Sequence, residues 1–353
     1  MADTDPLTPL NDVFHMYPIE RTNYYGTNYD GIKAERIFDL AKPILIRFLH
    51  DHEISNVHLP NDDMIGSNSL VFLANLKNRS SMKENDVAIK IFMPMKNAKQ
   101  LLSDELIYKM SEQGICPNIL LNQSADFGHS EFIISVLIST LVTPLEMYQF
   151  KSLDEVKFAI VSFIDIVQKL HKLGLVHLDI KRSNICVGMN GQIKLIDFDN
   201  CDVINTRNCF LTNSSLSCYP PIQMQKSFIR IGMGDMAIDW FSTIYIILGY
   251  VLNMGWWQFD DGIWDEEIEE YEYMRIDEKQ CKTLVLNRFK LYICIQQEMK
   301  KIFPSHLIHM RDPFWYKFCD IVFLVFKGHQ KCTDAAEFNT NLNSGLETLT
   351  KLI

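Results

Sequence analysis

The chain has 353 residues, of which 47% are hydrophobic and 22% charged, a balance that supports a large folded core and excludes wholesale disorder. Its net charge of −10 and its sequence pI near 5.5 give it no general electrostatic attraction to nucleic acid or anionic membranes. The nine cysteines contain no C-x-x-C pair, and the polar, acidic start lacks an apolar leader, so we expect an intracellular protein of the cytoplasm, the nucleus or both.

Residues 1–56 are predicted to form an N-terminal extension that is partly helical. The segment opens with an irregular stretch that contains proline and asparagine. Apolar residues then recur at near-helical spacing from Ile32 to Phe48. A helix is therefore expected in the second half of the extension.

Short strand-like runs dominate residues 57–140. The runs are Val71–Leu76, Val87–Met93 and Phe132–Ile138, with one helical stretch among them. This pattern predicts a small sheet with a single helix. The second run contains Lys90, whose ammonium needs a partner if it is buried, and Glu105 on the predicted helix is the candidate.

The chain becomes mainly helical from residue 141 onward. Ser152-Leu-Asp-Glu155 is a capping box, in which the serine and the glutamate are expected to satisfy each other's backbone donors. Gly174 is placed to end that helix in a left-handed turn. Further on, the apolar run Trp240–Leu252 stops several residues short of a bilayer span. A buried helix and no membrane span are predicted there.

Two polar motifs follow that first helix. One, HLDIKRSN, spans residues 177–184, and the other, DFD, spans residues 197–199 after a short predicted strand. Phosphoryl transfer requires a carboxylate that aligns the hydroxyl, a cation beside the moving phosphoryl group and side-chain oxygens that hold Mg²⁺. Asp179, Lys181 and Asn184 supply these groups, and Asp197 is the expected main magnesium ligand.

These motifs resemble those of the eukaryotic protein kinase superfamily, and the chain is similar to a divergent Ser/Thr protein kinase. Residues 170–184 match the family's catalytic loop and the helix before it position for position, and the spacing to Asp197 agrees as well. The resemblance implies an α+β, bilobal fold. A small antiparallel sheet lobe with one main helix (57–140) would precede a larger, mostly helical lobe (141–353).

The resemblance also implies an ATP- and Mg-dependent enzyme that transfers the γ-phosphate to Ser or Thr hydroxyls of protein substrates. Asp239 would brace the backbone of the catalytic loop. The implied site residues are Ile65 and Gly66 in the glycine loop over ATP, Lys90 and Glu105 as an ATP-orienting ion pair, Asp179 as catalytic base, Lys181 as phosphate contact, and Asn184 and Asp197 as magnesium ligands.

The chain departs from the family pattern at several positions. Asn68 and Val71 stand where the glycine loop has its other glycines, so weaker nucleotide binding or slower turnover is expected. Leu178 replaces an arginine that pairs with a phosphorylated activation segment, so activity is expected to need no such phosphorylation. Ile222 and Lys331 replace the two members of a buried ion pair, and this joint loss suggests a repacked, folded lobe.

Two other functions remain open. The DFD motif is also typical of small-molecule kinases of the aminoglycoside or choline type, although Lys181 and Asp239-Trp240 favour a protein kinase. A pseudokinase that scaffolds partners would explain why the glycine loop lacks two of its glycines and why Asp199 stands in place of glycine.

Specificity for tyrosine hydroxyls is less expected because of Lys181. The acidic stretch Asp260–Glu272 is either a solvated face or the basis of a preference for basic substrates.

Overall fold

The computed structural model describes residues 6–14, 34–60, 69–93, 103–126, 133–188, 191–207, 222–252, 288–303, 312–326 and 328–353. The chain divides into two compact units, Met1–Val142 and Thr143–Ile353. The first is built on an antiparallel sheet and the second mainly on helices. This architecture confirms the predicted α+β class.

The first unit contains a five-stranded antiparallel sheet, whose strands, numbered along the chain, lie in the order 1-2-3-5-4. The three predicted runs fall in its three inner strands, where alternate apolar side chains are buried on one face. Phe72 lies opposite Ile89, for example, and both are fully buried. The strands are β1 (His52–His58), β2 (Ser69–Asn78), β3 (Glu84–Phe92), β4 (Ile119–Asp126) and β5 (Ile133–Thr140).

The N-terminal helices belong to the core of this unit. Helices α1 (Thr8–Phe14) and α2 (Ala34–Leu49) share one hydrophobic cluster with the sheet. Phe38 of α2 stacks on Phe14 with ring centroids 4.6 Å apart and contacts Phe72 of β2 at 5.9 Å. The predicted helix is therefore present, and its apolar stripe covers the sheet. Helix α3 (Asp104–Glu112) is the predicted single helix between strands and packs against β4.

The second unit begins with short strand β6 (Thr143–Pro144) and helix α4 (Leu153–Lys172). The capping-box prediction is half right, since Ser152 Oγ accepts from Glu155 N at 3.1 Å. The Glu155 carboxylate accepts instead from the Lys151 main-chain nitrogen at 2.6 Å and from the Tyr148 hydroxyl. These two donors precede the helix and compete with the backbone of Ser152.

Several of the remaining elements of the second unit pack against α4. Helix α6 (Met236–Ile246) is the buried helix predicted from residue 240 onward, and it continues into a π-helical turn at Ile247–Val251. In the described ranges no helix is both long and apolar enough to cross a membrane. The elements are β7 (Leu175–Val176), β8 (Ile185–Val187), β9 (Ile193–Leu195), β10 (Asp202–Val203), α5 (Ile222–Arg230), α6 (Met236–Ile246), α7 (Arg288–Ile302), α8 (Pro313–Phe326) and α9 (Ala335–Thr350).

Arg230 joins helix α5 to the segment before α9. Its Nη2 atom donates to the main-chain oxygens of Gln330 at 3.0 Å and Cys332 at 3.1 Å. Lys331, which stands where the family has a buried arginine, is exposed. The Arg230 guanidinium of α5 thus links this helix to the segment before α9, through main-chain carbonyls rather than through a charged side chain.

Candidate active site

The Asp179 carboxylate is the centre of a buried polar cluster in the second unit. The loop between β7 and β8 carries it, and only 3% of the residue is exposed. Lys181 Nζ lies 2.9 Å from Asp179 Oδ2. The Asn184 amide nitrogen donates to the Asp179 main-chain oxygen at 2.9 Å and to Oδ2 at 3.1 Å. The structure therefore brings together three residues that the sequence predicted to act together.

Asn200 also contacts this carboxylate, and the sequence analysis missed it. Its amide nitrogen lies 3.3 Å from Asp179 Oδ2, so that one oxygen receives donors from Lys181, Asn184 and Asn200. Among the described residues, none donates to the other oxygen, Oδ1. Charge-assisted bonds of this kind fix the orientation of a carboxylate. Oδ1 is therefore the oxygen that a ligand at this site could reach.

Asp239 holds the backbone of the catalytic loop, as the family resemblance implied. Its fully buried carboxylate accepts from His177 N at 2.8 Å and from Leu178 N at 2.9 Å. His171 Nε2 is a third neighbour at 2.9 Å. Leu178 has a φ of 61°, a left-handed conformation that costs about 1–2 kcal/mol for a residue with a Cβ. Two adjacent bonds to one buried carboxylate stabilise that unusual backbone.

His177 has an architectural role, as predicted. Its Nε2 lies 3.1 Å from the Ile196 carbonyl oxygen, and its Nδ1 lies 3.3 Å from Asp179 N. The carbonyl needs a donor and the main-chain N–H needs an acceptor, which matches the tautomer that carries its proton on Nε2. Both nitrogens are then occupied by the backbone, which leaves neither for acid–base chemistry.

Asp197 and Asn184 have the donor atoms that a hard cation prefers. Asp197 follows β9 with a φ of 64° and begins the 3-10 turn Phe198–Asn200. Non-glycine residues in this left-handed region are common at functional sites because the surrounding fold must hold them there. Since the Asn184 amide nitrogen bonds to Asp179, its amide oxygen is the atom available for a cation. A carboxylate and an amide oxygen fit Mg²⁺, which keeps further ligands from phosphates and water.

Lys90 and Glu105 lie in the first unit but do not form the predicted ion pair. Lys90 is a half-buried residue of β3, with its ammonium 4.9 Å from the Phe92 ring centroid. The Glu105 carboxylate is 79% exposed and lies 2.7 Å from Lys109 Nζ, one helical turn further along α3. The hydrogen bond and positive charge of Lys109 lower the pKa of Glu105. Glu105 therefore pairs with Lys109 in the same helix, at i,i+4 spacing, and not with Lys90.

Several predicted positions lie outside the described residues. They are the glycine-loop residues Ile65, Gly66 and Asn68, the side chain of Asp199, and the acidic stretch Asp260–Glu272. Their proposed roles stay predictions.

Comparisons with known proteins identify the family. The protein kinase domain model matches residues 66–302, which is more than half of the chain. The human Citron Rho-interacting kinase is 30% identical over 130 residues, covering 35% of this chain and 6% of that protein. The human serine/threonine-protein kinase MRCK gamma is 30% identical over 91 residues, covering 24% of this chain and 6% of that protein. The chain thus spans less than a tenth of these relatives.

A solved structure is also similar. The Cydia pomonella Granulovirus kinase, PK-1, matches with a TM-score of 0.42 and 14% sequence identity, over 60% of this chain and 73% of that one. The extent of the domain match, together with the catalytic-loop motif, shows that this chain belongs to the protein kinase domain family.

Proposed function

We propose that this protein is an ATP- and Mg-dependent kinase that phosphorylates Ser or Thr hydroxyls of protein substrates. The observation that carries the proposal is the buried Asp179 carboxylate, whose Oδ2 is held by three side chains while no described residue donates to Oδ1. Such an arrangement suits a general base that orients an attacking hydroxyl. A carboxylate that served only as a turn cap would not require three side-chain donors.

Each predicted site residue has a role in this proposal. Asp179 accepts the proton of the substrate hydroxyl, and Lys181 steadies the transferred phosphoryl group while it fixes Asp179. Asn184 and Asp197 would hold Mg²⁺, which neutralises charge on the phosphate oxygens when it is bound. Lys90 orients ATP, and Glu105 joins it only after leaving Lys109. Ile65 and Gly66 are proposed to cover the nucleotide.

The other two functions receive less support. A pseudokinase commonly lacks the lysine, the base or a metal ligand, whereas Lys90, Asp179, Asn184 and Asp197 are all present here. A small-molecule kinase shares the DFD motif, but Lys181 and the names of the serine/threonine-protein kinase relatives favour a protein hydroxyl.

We propose that the protein acts in the cytoplasm, the nucleus or both. The preference for basic substrates stays a hypothesis that depends on residues 260–272.

Transfer of label from γ-³²P-ATP separates these functions. Wild type is incubated with Mg²⁺ and a panel of generic proteins, choline or an aminoglycoside, and phosphoamino acids are then analysed. The proposal predicts label on Ser or Thr of proteins and loss of it in Asp179→Asn. Label on choline or the aminoglycoside alone would indicate a small-molecule kinase. ATP binding without any transfer would indicate a pseudokinase.

A further inference from the structure

Arg182 lies in the catalytic loop with its side chain held on two sides. It follows Lys181 directly and is 45% exposed. Its Nε atom is 3.4 Å from Glu146 Oε2 in the 3-10 turn Leu145–Met147. Its guanidinium carbon is 5.0 Å from the ring centroid of Tyr250, which the π-helical turn after α6 carries. All three residues belong to the second unit.

These contacts position the guanidinium without using all of its donors. The Glu146 carboxylate lies beside Nε, and the guanidinium carbon lies over the Tyr250 ring. Arg182 pairs with no other carboxylate among the residues that the structure describes. The four N–H bonds of its two Nη atoms form a planar fork, the geometry that binds a carboxylate or a phosphate with two parallel hydrogen bonds.

The neighbouring carboxylate does not make this a site for a substrate cation. Glu146 is 23% exposed in its side chain and already has the Arg182 guanidinium beside it. A substrate arginine or lysine would have to displace that guanidinium from both Glu146 and the Tyr250 ring. An incoming anion would need to displace neither contact, because 45% of the Arg182 side chain is exposed. π-Helical turns are also frequent at functional sites.

We propose that Arg182, supported by Glu146 and Tyr250, is a subsite that selects substrates with an acidic side chain near the acceptor hydroxyl. The inference rests on the proposed function and names the substrate class of the same site. Arg182 is three residues from Asp179, so their Cα atoms are at most about 11 Å apart. An extended peptide covers that distance in about three residues. We therefore place the selected carboxylate or phosphate within a few residues of the acceptor.

A set of matched peptides tests the subsite. Each contains one Ser acceptor and carries Glu, Gln or phosphoserine at one position up to about three residues away on either side. The readout is the ratio of kcat/KM for the acidic peptide to that for its Gln counterpart. In wild type we expect the ratio to reach about fivefold at one position. Arg182→Gln should bring the ratio close to one, and Arg182→Lys should restore it in part because the charge returns without the fork.

Three further variants separate this role from a structural one. Glu146→Gln should raise the ratio because it removes a negative charge that repels the substrate anion, and Arg182→Glu should invert the preference toward a peptide with Lys at that position. Arg36→Gln, at an exposed arginine of α2, is the matched control. A phosphoserine peptide that outperforms the Glu peptide would identify phosphate as the preferred anion.

The outcomes also distinguish the subsite from the proposed function. If wild type phosphorylates acidic and neutral peptides equally, or if Arg182→Gln keeps the wild-type ratio, the subsite is refuted while the kinase activity stands. A preference for a basic peptide that Glu146→Gln abolishes would equally refute it. If no peptide or protein is phosphorylated, the proposed function itself has failed.

Discussion

The Asp179 carboxylate uses its two oxygens differently. Oδ2 is surrounded by Lys181, Asn184 and Asn200, and these bonds prevent the carboxylate from rotating. A base that is already oriented does not have to be ordered when the substrate binds, which lowers the barrier of the chemical step. In the proposed mechanism, Asn200 would therefore influence the rate through Asp179, without touching the substrate itself.

Asn200 is predicted to position Asp179. Asn200→Ala removes one of the three donors, and we expect kcat to fall about three- to tenfold while KM for the peptide changes little. Asn200→Gln should recover part of the rate because it returns an amide. Steady-state kinetics with one peptide measures both constants, and Asn343→Ala on α9 is the control. An unchanged kcat, or a rise in KM alone, would contradict this role.

The hydroxyl of Tyr148 makes stability depend on pH in the alkaline range. The hydrogen bond that it donates to Glu155, followed by burial, raises the pKa of Tyr148 to about 12. The unfolded tyrosine releases its proton near about pH 10. The stabilisation is therefore fully present below about pH 10 and is lost as the pH rises toward about 12.

Urea unfolding of wild type and Tyr148→Phe at several pH values tests whether this stabilisation is lost as the pH rises. The difference in their free energies of unfolding should be constant from about pH 8 to about pH 9 and should shrink above about pH 10. Tyr108→Phe, at an exposed tyrosine of α3, is the matched control. A difference that grows with pH, or that stays constant to about pH 11, would contradict the assignment.

At the scale of elements, helix α5 is tied to the start of α9 by one side chain. Arg230 bonds to two carbonyls in the segment that precedes α9. The family's buried ion pair needs two charged residues that pack against each other. The single guanidinium needs only backbone oxygens, so it tolerates changes in the side chains around it.

Removal of this link should lower stability. Arg230→Ala leaves both carbonyls without their donor, and we expect the free energy of unfolding to fall by about 1–2 kcal/mol. Arg230→Lys should recover less than half of the loss because one ammonium does not reproduce the fork. Urea unfolding measures both variants, with Lys226→Ala on the exposed side of the same helix as control. Equal stability of wild type and Arg230→Ala would show that the link contributes nothing.

The sequence predicted some elements and residues better than others for physical reasons. The inner strands of the sheet show clear apolar runs, whereas β1 and β4 lie at its edges and are polar enough to hide their periodicity. Asp179 and Asn184 lie five residues apart in one loop motif, so their contact was expected. Asn200 reaches Asp179 through a 3-10 turn with no sequence signature. The partner of Glu105 depends on competition between two lysines, which a motif does not encode.

At the scale of the whole molecule, each unit has its own structural basis. The first unit uses the N-terminal helices to cover its sheet, so the extension is part of its core. The second unit uses α4, α6 and the buried Asp239 to hold the catalytic loop. The proposed base and substrate contacts belong to the second unit.

Single-turnover phosphoryl transfer by wild type and Asp179→Asn, with Mg-ATP binding measured on the same samples, tests the central claim most directly. Asparagine has the size of aspartate but accepts no proton, so the variant should bind Mg-ATP as wild type does. Its transfer rate should fall at least about a hundredfold. Transfer by Asp179→Asn at the wild-type rate would contradict the assignment of Asp179 as the base.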